Sequence, residues 1–290
     1  SGSQIVGSIA TRQENLDITD ASIFSMRFVG SPFYFSFNEI ASGIGMIAPK
    51  AAASIGNIVY FMDDGAFYRA SGNVERLPCT VLDHVFSDMN KGARFKFFAA
   101  NNVEHNEVIW FYASSSSTEI DKYVSYNYAE NVWAVGTTSN NFTRTAWDDA
   151  PTLTNPLAAG KLDNTDKNYL YNHESGNLAD GTAFPAYIES ADIDLDPAGE
   201  QFMYLSKIIP DIEFQDSSNA NDTVNLVLKG RRYPNEAQST LSTSALTATT
   251  NYKNTRGRTR QVAVRIENAD GDFKWRLGDT RFEIRPDGAK

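Results

Sequence analysis

The sequence predicts an all-β protein in which partial β-propeller-like blades precede an antiparallel β-sandwich domain. Short apolar runs separated by polar turns fill most of the chain. One strand–turn–strand unit recurs at a spacing of about 40–50 residues, which is typical of propeller blades. From about residue 184 the strands become longer and alternate more regularly, as in a sandwich. We therefore predict two domains, residues 1–183 and 184–290.

The clearest repeated unit is Asn106–Gly136. It contains three short runs rich in aromatic and β-branched residues, Glu107–Tyr112, Tyr123–Tyr128 and Val132–Gly136. Polar turns separate these runs, and this combination favours an antiparallel meander. A second copy is Ile58–Leu77, with an Asp-Gly hairpin turn. A weaker third copy lies at Asn168–Gly176.

The rest of the first domain is less regular. Residues 4–30 predict two strands, and Phe33–Phe37 predicts a compact aromatic strand. Residues 41–54 are rich in glycine and alanine, and we expect a tightly packed loop there. The best helix candidate is Thr80–Arg94, in which Val81, Val85 and Met89 recur every four residues. We expect one short helix near residues 80–92.

Alternating strands dominate the second domain. Residues 238–255 are rich in Ser, Thr and Ala, and indicate either a mobile loop or an exposed edge strand. The predicted strands are 186–195, 204–214, 223–231, 261–267, 272–277 and 280–285.

Charge is unevenly distributed along the 290 residues. The net charge is −10, yet residues 229–290 carry 13 Lys/Arg against 7 Asp/Glu, a balance of +6. Residues 1–228 carry 13 against 29, a balance of −16. Acidic and basic faces could meet between neighbouring subunits, or an acidic surface could repel a passing polyanion. Unevenly charged solvated faces would give the same distribution.

Cysteine and histidine usage indicates no metal site. Cys79 is the single cysteine, which excludes an intrachain disulfide. The three histidines, His84, His105 and His173, are far apart in sequence and are expected to be separate surface or turn residues. The apolar runs are too short to span a bilayer. No secretory signal opens the sequence.

A basic stretch near the C-terminal end is the candidate binding site. Its members, Lys253, Arg256, Arg258 and Arg260, fall within eight residues. We interpret them as a possible subunit-interface patch. Nucleic-acid binding and an ordinary solvated face stay open as alternatives, since only Tyr252 is near enough to stack on a base.

Several acidic residues were weighed as sites. Asp192, Asp194 and Asp196 would share one side of a strand, as a calcium site or as a solvated face. The pairs Asp63–Asp64 and Asp148–Asp149 fall in predicted turns, where Asp is favoured, although a glycosidase pair is conceivable.

Period-2 aromatic residues could form a sugar site or the packing between blades, and we favour packing. They are Tyr60, Tyr68, Trp110, Tyr112, Tyr126, Tyr128 and Trp133. Common phosphate-loop, nucleophile-elbow and zinc-protease motifs do not occur. We therefore expect no enzymatic activity, no catalytic or metal-binding residues and no cofactor.

Six segments distributed along the chain form a recognisable set. They are Phe24–Phe33, Leu77–Val81, Tyr126–Tyr128 with Trp133, Arg144–Trp147, Ile188–Asp192 and Trp275–Gly288. Together they resemble the C-terminal half of tailed-phage virion proteins, nearest to the tail hub or nozzle (packaged-DNA stabilisation) proteins of short-tailed phages. The resemblance spans nearly the whole chain and rests on structural motifs.

The resemblance implies a structural protein of the phage tail, assembled in the host cytoplasm and located in the virion. Such proteins form a homo-hexameric ring with a β-propeller body. The ring closes the DNA channel, contacts the head-tail adaptor and tail fibres or spikes, and opens for DNA ejection. DNA would pass transiently without sequence-specific binding. The alternative function is a carbohydrate-binding or glycan-degrading β-propeller protein of the virion.

Overall fold

The computed structural model describes residues 2–138, 142–150, 152–162, 167–179, 181–183, 185–196, 199–216, 222–268 and 271–288. The chain divides into two compact units, Ser1–Ser175 (unit 1) and Gly176–Lys290 (unit 2). The boundary predicted between residues 183 and 184 involves Phe184, which lies outside the described residues. The prediction of an all-β protein is confirmed, and the described residues form many small antiparallel sheets without a closed barrel.

Unit 1 is built from consecutive antiparallel meanders. Sheet 1 contains β1 (Ile5–Ala10), β2 (Asn15–Thr19), β3 (Ser22–Gly30) and β4 (Tyr34–Ser42). Sheet 2 contains β5 (Ala52–Ile55), β6 (Ile58–Met62), β7 (Phe67–Ser71) and β8 (Asn73–Arg76). Sheet 3 contains β9 (Phe98–Asn102), β10 (Glu107–Tyr112), β11 (Lys122–Asn127) and β12 (Val132–Thr137). Sheet 4 contains β13 (Phe142–Asp148), β14 (Leu157–Leu162) and β15 (Asn168–Asn172).

The first strands of successive sheets contact one another. β1 contacts β5, β5 contacts β9, and β9 contacts β13. Propeller blades have the same relation, since the first strand of each blade lies innermost. The repeated units Ile58–Leu77 and Asn106–Gly136 are parts of sheets 2 and 3, each of which also has a first strand, β5 or β9, that the sequence did not reveal. The third unit, Asn168–Gly176, contains only β15, the last strand of sheet 4.

The connection between sheets 2 and 3 contains less α-helix than the sequence predicts. Helix α1 spans Leu82–Ser87, and a 3-10 helix spans Lys91–Lys96. Between them the chain pairs with another segment, because Met89 forms a β-bridge with Ser114 and the Asn90 N–H donates to the Ala113 carbonyl at 2.9 Å. These contacts end the helix before Arg94. No helix among the described residues is long and apolar enough to cross a membrane.

The core of unit 1 is aromatic. Trp110 is fully buried, and its ring centroid lies 4.8 Å from that of Phe67 and 6.0 Å from that of Trp133. The aromatic residues weighed as a sugar site lie in this core or against it. Packing is therefore the correct interpretation of their period-2 pattern.

The described residues of unit 2 form twelve strands in four sheets. The largest sheet has the order β18-β25-β22-β23 with β19 beside β25; the others are β24-β20-β27, β21-β26 and β16-β17. Their bounds are β16 Leu178–Ala179, β17 Thr182–Ala183, β18 Ala186–Glu189, β19 Ile193–Asp194, β20 Met203–Ile209, β21 Ile212–Gln215, β22 Val224–Arg231, β23 Ser239–Leu246, β24 Lys253–Thr259, β25 Gln261–Asn268, β26 Lys274–Leu277 and β27 Arg281–Pro286. Residues from several of these sheets share one core.

For residues 238–255 the structure decides between the two alternatives left by the sequence, a mobile loop and an exposed edge strand. Residues 239–246 form β23, an edge strand that among the described strands pairs with β22 alone, and β24 begins at Lys253. The predicted strand 204–214 is two strands, β20 and β21, because Pro210 cannot continue the ladder.

Candidate functional site

Sheet 1 ends in a projecting aromatic ribbon. The pairing of β2 with β3 stops at Asn15 opposite Met26, whereas β3 and β4 continue as a pair. We call residues 27–38 the aromatic ribbon. Ring centroids of Phe28 and Phe35 lie 5.8 Å apart, edge to face. The exposed fractions of its large apolar residues are Phe28 71%, Val29 56%, Phe33 81%, Tyr34 57%, Phe35 51% and Phe37 61%.

A second candidate site is a polar cluster where sheets 3 and 4 meet. We call Asn102, His105, Glu107 and Glu174 the Glu107 cluster. The Glu174 carboxylate accepts from the buried Asn102 amide at 3.2 Å and lies 3.1 Å from His105 Nε2. Glu174 has a φ of 54°, a left-handed conformation that is uncommon for glutamate and often occurs at functional sites.

The two carboxylates of this cluster have different environments. Burial raises the pKa of Glu107 above its ordinary value, His105 opposes that rise, and the charge on Glu174 adds to it. The Ser125 hydroxyl lies 3.5 Å from Glu107 Oε1. Burial also raises the pKa of Tyr123, and the charges of Glu107 and Glu174 raise it further. A half-buried carboxyl group beside an exposed one, as Glu107 and Glu174 are, is the kind of pair that general acid–base catalysis uses.

His173 immediately precedes Glu174 in the chain, and its imidazole is held in the neutral form. Its Nε2 accepts a hydrogen bond of 2.9 Å from Arg144 Nε, and its ring lies 4.6 Å from that of Trp147. Burial and the Arg144 charge lower the pKa of His173 to about 4. His105 is an exposed turn residue, as expected, and it contacts Glu174; His173 is half-buried and precedes Glu174 in the chain.

The predicted basic patch lies on and beside one strand of unit 2. Arg256 and Arg258 are exposed on β24, Lys253 is half-buried at its start, and Arg260 follows it. Arg258 forms an ion pair with Asp287. The guanidinium groups of Arg258 and Arg260 lie 4.1 and 4.8 Å from the Phe202 ring centroid. Two of the four charges are thus engaged within unit 2, and the interface interpretation stays a prediction.

The aspartates weighed as sites do not converge. Asp192 forms an ion pair with Arg231, and Asp194 accepts from Gln261 at 3.2 Å. Among the described residues, no group of three or more His, Cys, Asp or Glu side chains could hold a metal ion. Asp63–Asp64 follows β6, whereas Asp148–Asp149 lies at the end of β13. The acids that do lie together, Glu107 and Glu174, were not singled out from the sequence.

No family model and no curated protein matches the chain. Two solved structures that match are of exo-β-1,3-galactanase variants from Phanerochaete chrysosporium with β-1,3-galactotriose. Their sequences are 9% and 8% identical to this chain, and each TM-score is 0.33. Each match covers 95% of this chain and 80% of the other.

These matches bear on one expectation from the sequence. The matched chains are named as an exo-β-1,3-galactanase, which is an enzyme, and this runs against the expectation that the protein has no enzymatic activity. At a TM-score of 0.33 the likeness transfers no activity, substrate or catalytic residue to this chain.

Proposed function

We propose that the protein is a structural subunit of a bacteriophage tail, assembling as a ring of six identical chains in the tail nozzle. The ring closes the DNA channel and binds the head-tail adaptor and tail fibres or spikes. The aromatic ribbon carries this proposal, because a large exposed apolar surface is typical of a protein that works against a partner. The sequence resemblance to tail hub and nozzle proteins supports the choice of this kind of assembly.

The negative charge of residues 1–228 is compatible with a surface that lines a DNA channel. The balance of −16 over residues 1–228 disfavours binding of DNA, which depends mainly on Lys and Arg that neutralise phosphates. Complementary faces on one subunit also suit a closed ring.

Intact particles provide the test of this function. We expect electron microscopy to show the chain as a sixfold ring near the distal end of the tail, and immunogold labelling of unit 1 to mark the same place. Absence of the chain from purified particles, measured by mass spectrometry, would refute the tail function.

The Glu107 cluster favours a second candidate function, glycan binding or cleavage. Glycoside hydrolysis uses a pair of carboxyl groups, and Glu107, whose pKa is raised by burial, lies in one cluster with Glu174. A glycan-degrading protein of the virion would place these two acids on either side of a glycosidic bond.

Removing one acid of this pair tests that candidate. We expect Glu107→Gln to lower the rate of hydrolysis of β-linked oligosaccharides by about 100-fold or more, because a general acid contributes that much. Glu104→Gln is the matched control, since Glu104 is exposed in the turn just before Glu107. Equal rates for both variants, or no hydrolysis of any glycan by the unmodified protein, would reject the catalytic role.

A further inference from the structure

Sheet 1 has its apolar residues on an unexpected face. The face packed against the core of unit 1 presents Leu16, Ile18 and Ile23. Farther along the same face, in the ribbon, are Arg27 and Ser36, which pair across β3 and β4. The core-facing side of sheet 1 is therefore apolar where it covers the core. The same side is polar in the aromatic ribbon, where β3 and β4 continue beyond the end of β2.

The opposite, outward face becomes more apolar toward the ribbon. One cross-strand row contains Asp17, Phe24 and Glu39, and the next contains Asn15, Met26 and Phe37. The last row is Phe28 opposite Phe35. A sheet whose outer side faces water is expected to carry polar residues on that side. The outer side of sheet 1 instead becomes apolar toward the ribbon.

The exposed area is large enough for a specific interface. The ribbon has five exposed aromatic residues, and at their measured exposures these offer roughly 500–800 Å². A standard protein–protein interface buries about 800 Å² per partner. The ribbon could therefore supply most of one side of an interface.

Sheet 4 offers a complementary surface. Trp147 and Ala158 pair across β13 and β14 and pack toward the core, so the row Ala146–Ala159–Leu170 lies on the other face. Leu170 is 68% exposed. Lys161 lies on that same face and is exposed. Asp148 also lies on this face, at the opposite end of the β13–β14 pair.

We propose that the outward face of sheet 1 docks on the outer face of sheet 4 of a second copy of this chain. Phe28, Phe35 and Phe37 would cover Ala146, Ala159 and Leu170, and Lys161 would approach Asp17 or Glu39. Each copy uses two different surfaces, so the contact is head to tail and can repeat around a ring. This inference rests on the proposed ring function and names the surfaces that build it.

Sedimentation velocity over a wide range of protein concentrations tests the docking. We expect the unmodified protein to self-associate. We expect the double variant Phe28→Asp/Phe37→Asp and the variant Leu170→Asp each to weaken association by about tenfold or more, as loss of central interface residues does. Ser36→Asp, on the polar face of the same ribbon, is the control and should associate as the unmodified protein does. Far-ultraviolet circular dichroism verifies the fold of each variant.

Mixing the two defective variants separates head-to-tail docking from ribbon-to-ribbon docking. One variant keeps an intact sheet 4 and the other an intact ribbon, so the mixture should form a 1:1 dimer that grows no further. A mixture that stays monomeric, or normal association of Leu170→Asp, would overturn the proposal. So would an unmodified protein that is monomeric throughout and instead floats with phosphatidylcholine vesicles.

The two proposals can fail separately. Head-to-tail association of a chain that is absent from particles would keep the docking surfaces and reject the tail function. If the chain is present in the tail but its variants associate normally, the tail function is kept and the docking surfaces are rejected.

Discussion

Replacing Trp110 with alanine is expected to lower the free energy of unfolding of unit 1 by about 4 kcal/mol. Trp110 is fully buried at the centre of an aromatic group that includes Phe67 and Trp133. Its indole N–H also donates to the Ala51 carbonyl at 3.2 Å, which links sheet 3 to the segment before β5. That carbonyl still accepts from the Met62 N–H at 3.0 Å in the variant, so the loss comes mainly from the cavity.

Urea denaturation combined with hydrogen exchange measures this loss. Peptides from unit 1 should lose protection, while peptides from unit 2 should change less because the contacts of Trp110 lie in unit 1. Val132→Ala in the same sheet is the control: Val132 is 56% exposed on an edge strand, and we expect a change within about 0.5 kcal/mol. Similar losses for both variants would contradict the central position of Trp110.

Lowering the pH should destabilise unit 1 through His173. Its pKa is about 4 in the folded protein and 6.5 ordinarily, so the unfolded chain takes up the proton first. The stability that a neutral His173 contributes is therefore fully present above pH 6.5 and is lost as the pH falls toward 4. For a half-buried ring we expect a loss of about 2 kcal/mol.

The variant His173→Gln isolates this contribution. Glutamine can still accept from Arg144 but does not titrate, so its stability should fall less than that of the unmodified protein between about pH 7 and about pH 4.5. Urea denaturation at each pH gives the comparison. His84→Gln is the control, because His84 is exposed on α1. Parallel losses in His173→Gln and the unmodified protein would show that His173 is not the group responsible.

The sequence predicted elements with strong local patterns. The three runs of Asn106–Gly136 are β10, β11 and β12, since aromatic and β-branched residues between tight turns favour strands. The strands β5 and β9 were missed because Ala52–Ile55 and Phe98–Asn102 consist mainly of small or polar residues. Their strand conformation depends on pairing with β6 and β10, which is a tertiary effect.

The candidate sites were harder to predict. Glu107 and Glu174 are far apart in the chain, and tertiary contacts such as that between β9 and β13 bring their sheets together. Phe33–Phe37 was correctly predicted as aromatic strand, but a two-residue period does not say which face is covered. Only the observed register shows that Phe35 and Phe37 face away from the core.

The two units also differ in how far apart their paired strands are in the chain. Every sheet of unit 1 joins neighbouring strands, so each can form soon after its residues leave the ribosome. In unit 2, β20 pairs with β27, which joins Met203 to Pro286. During synthesis unit 1 can therefore acquire its sheets one by one, whereas unit 2 cannot close its fold until the chain has been made as far as Pro286.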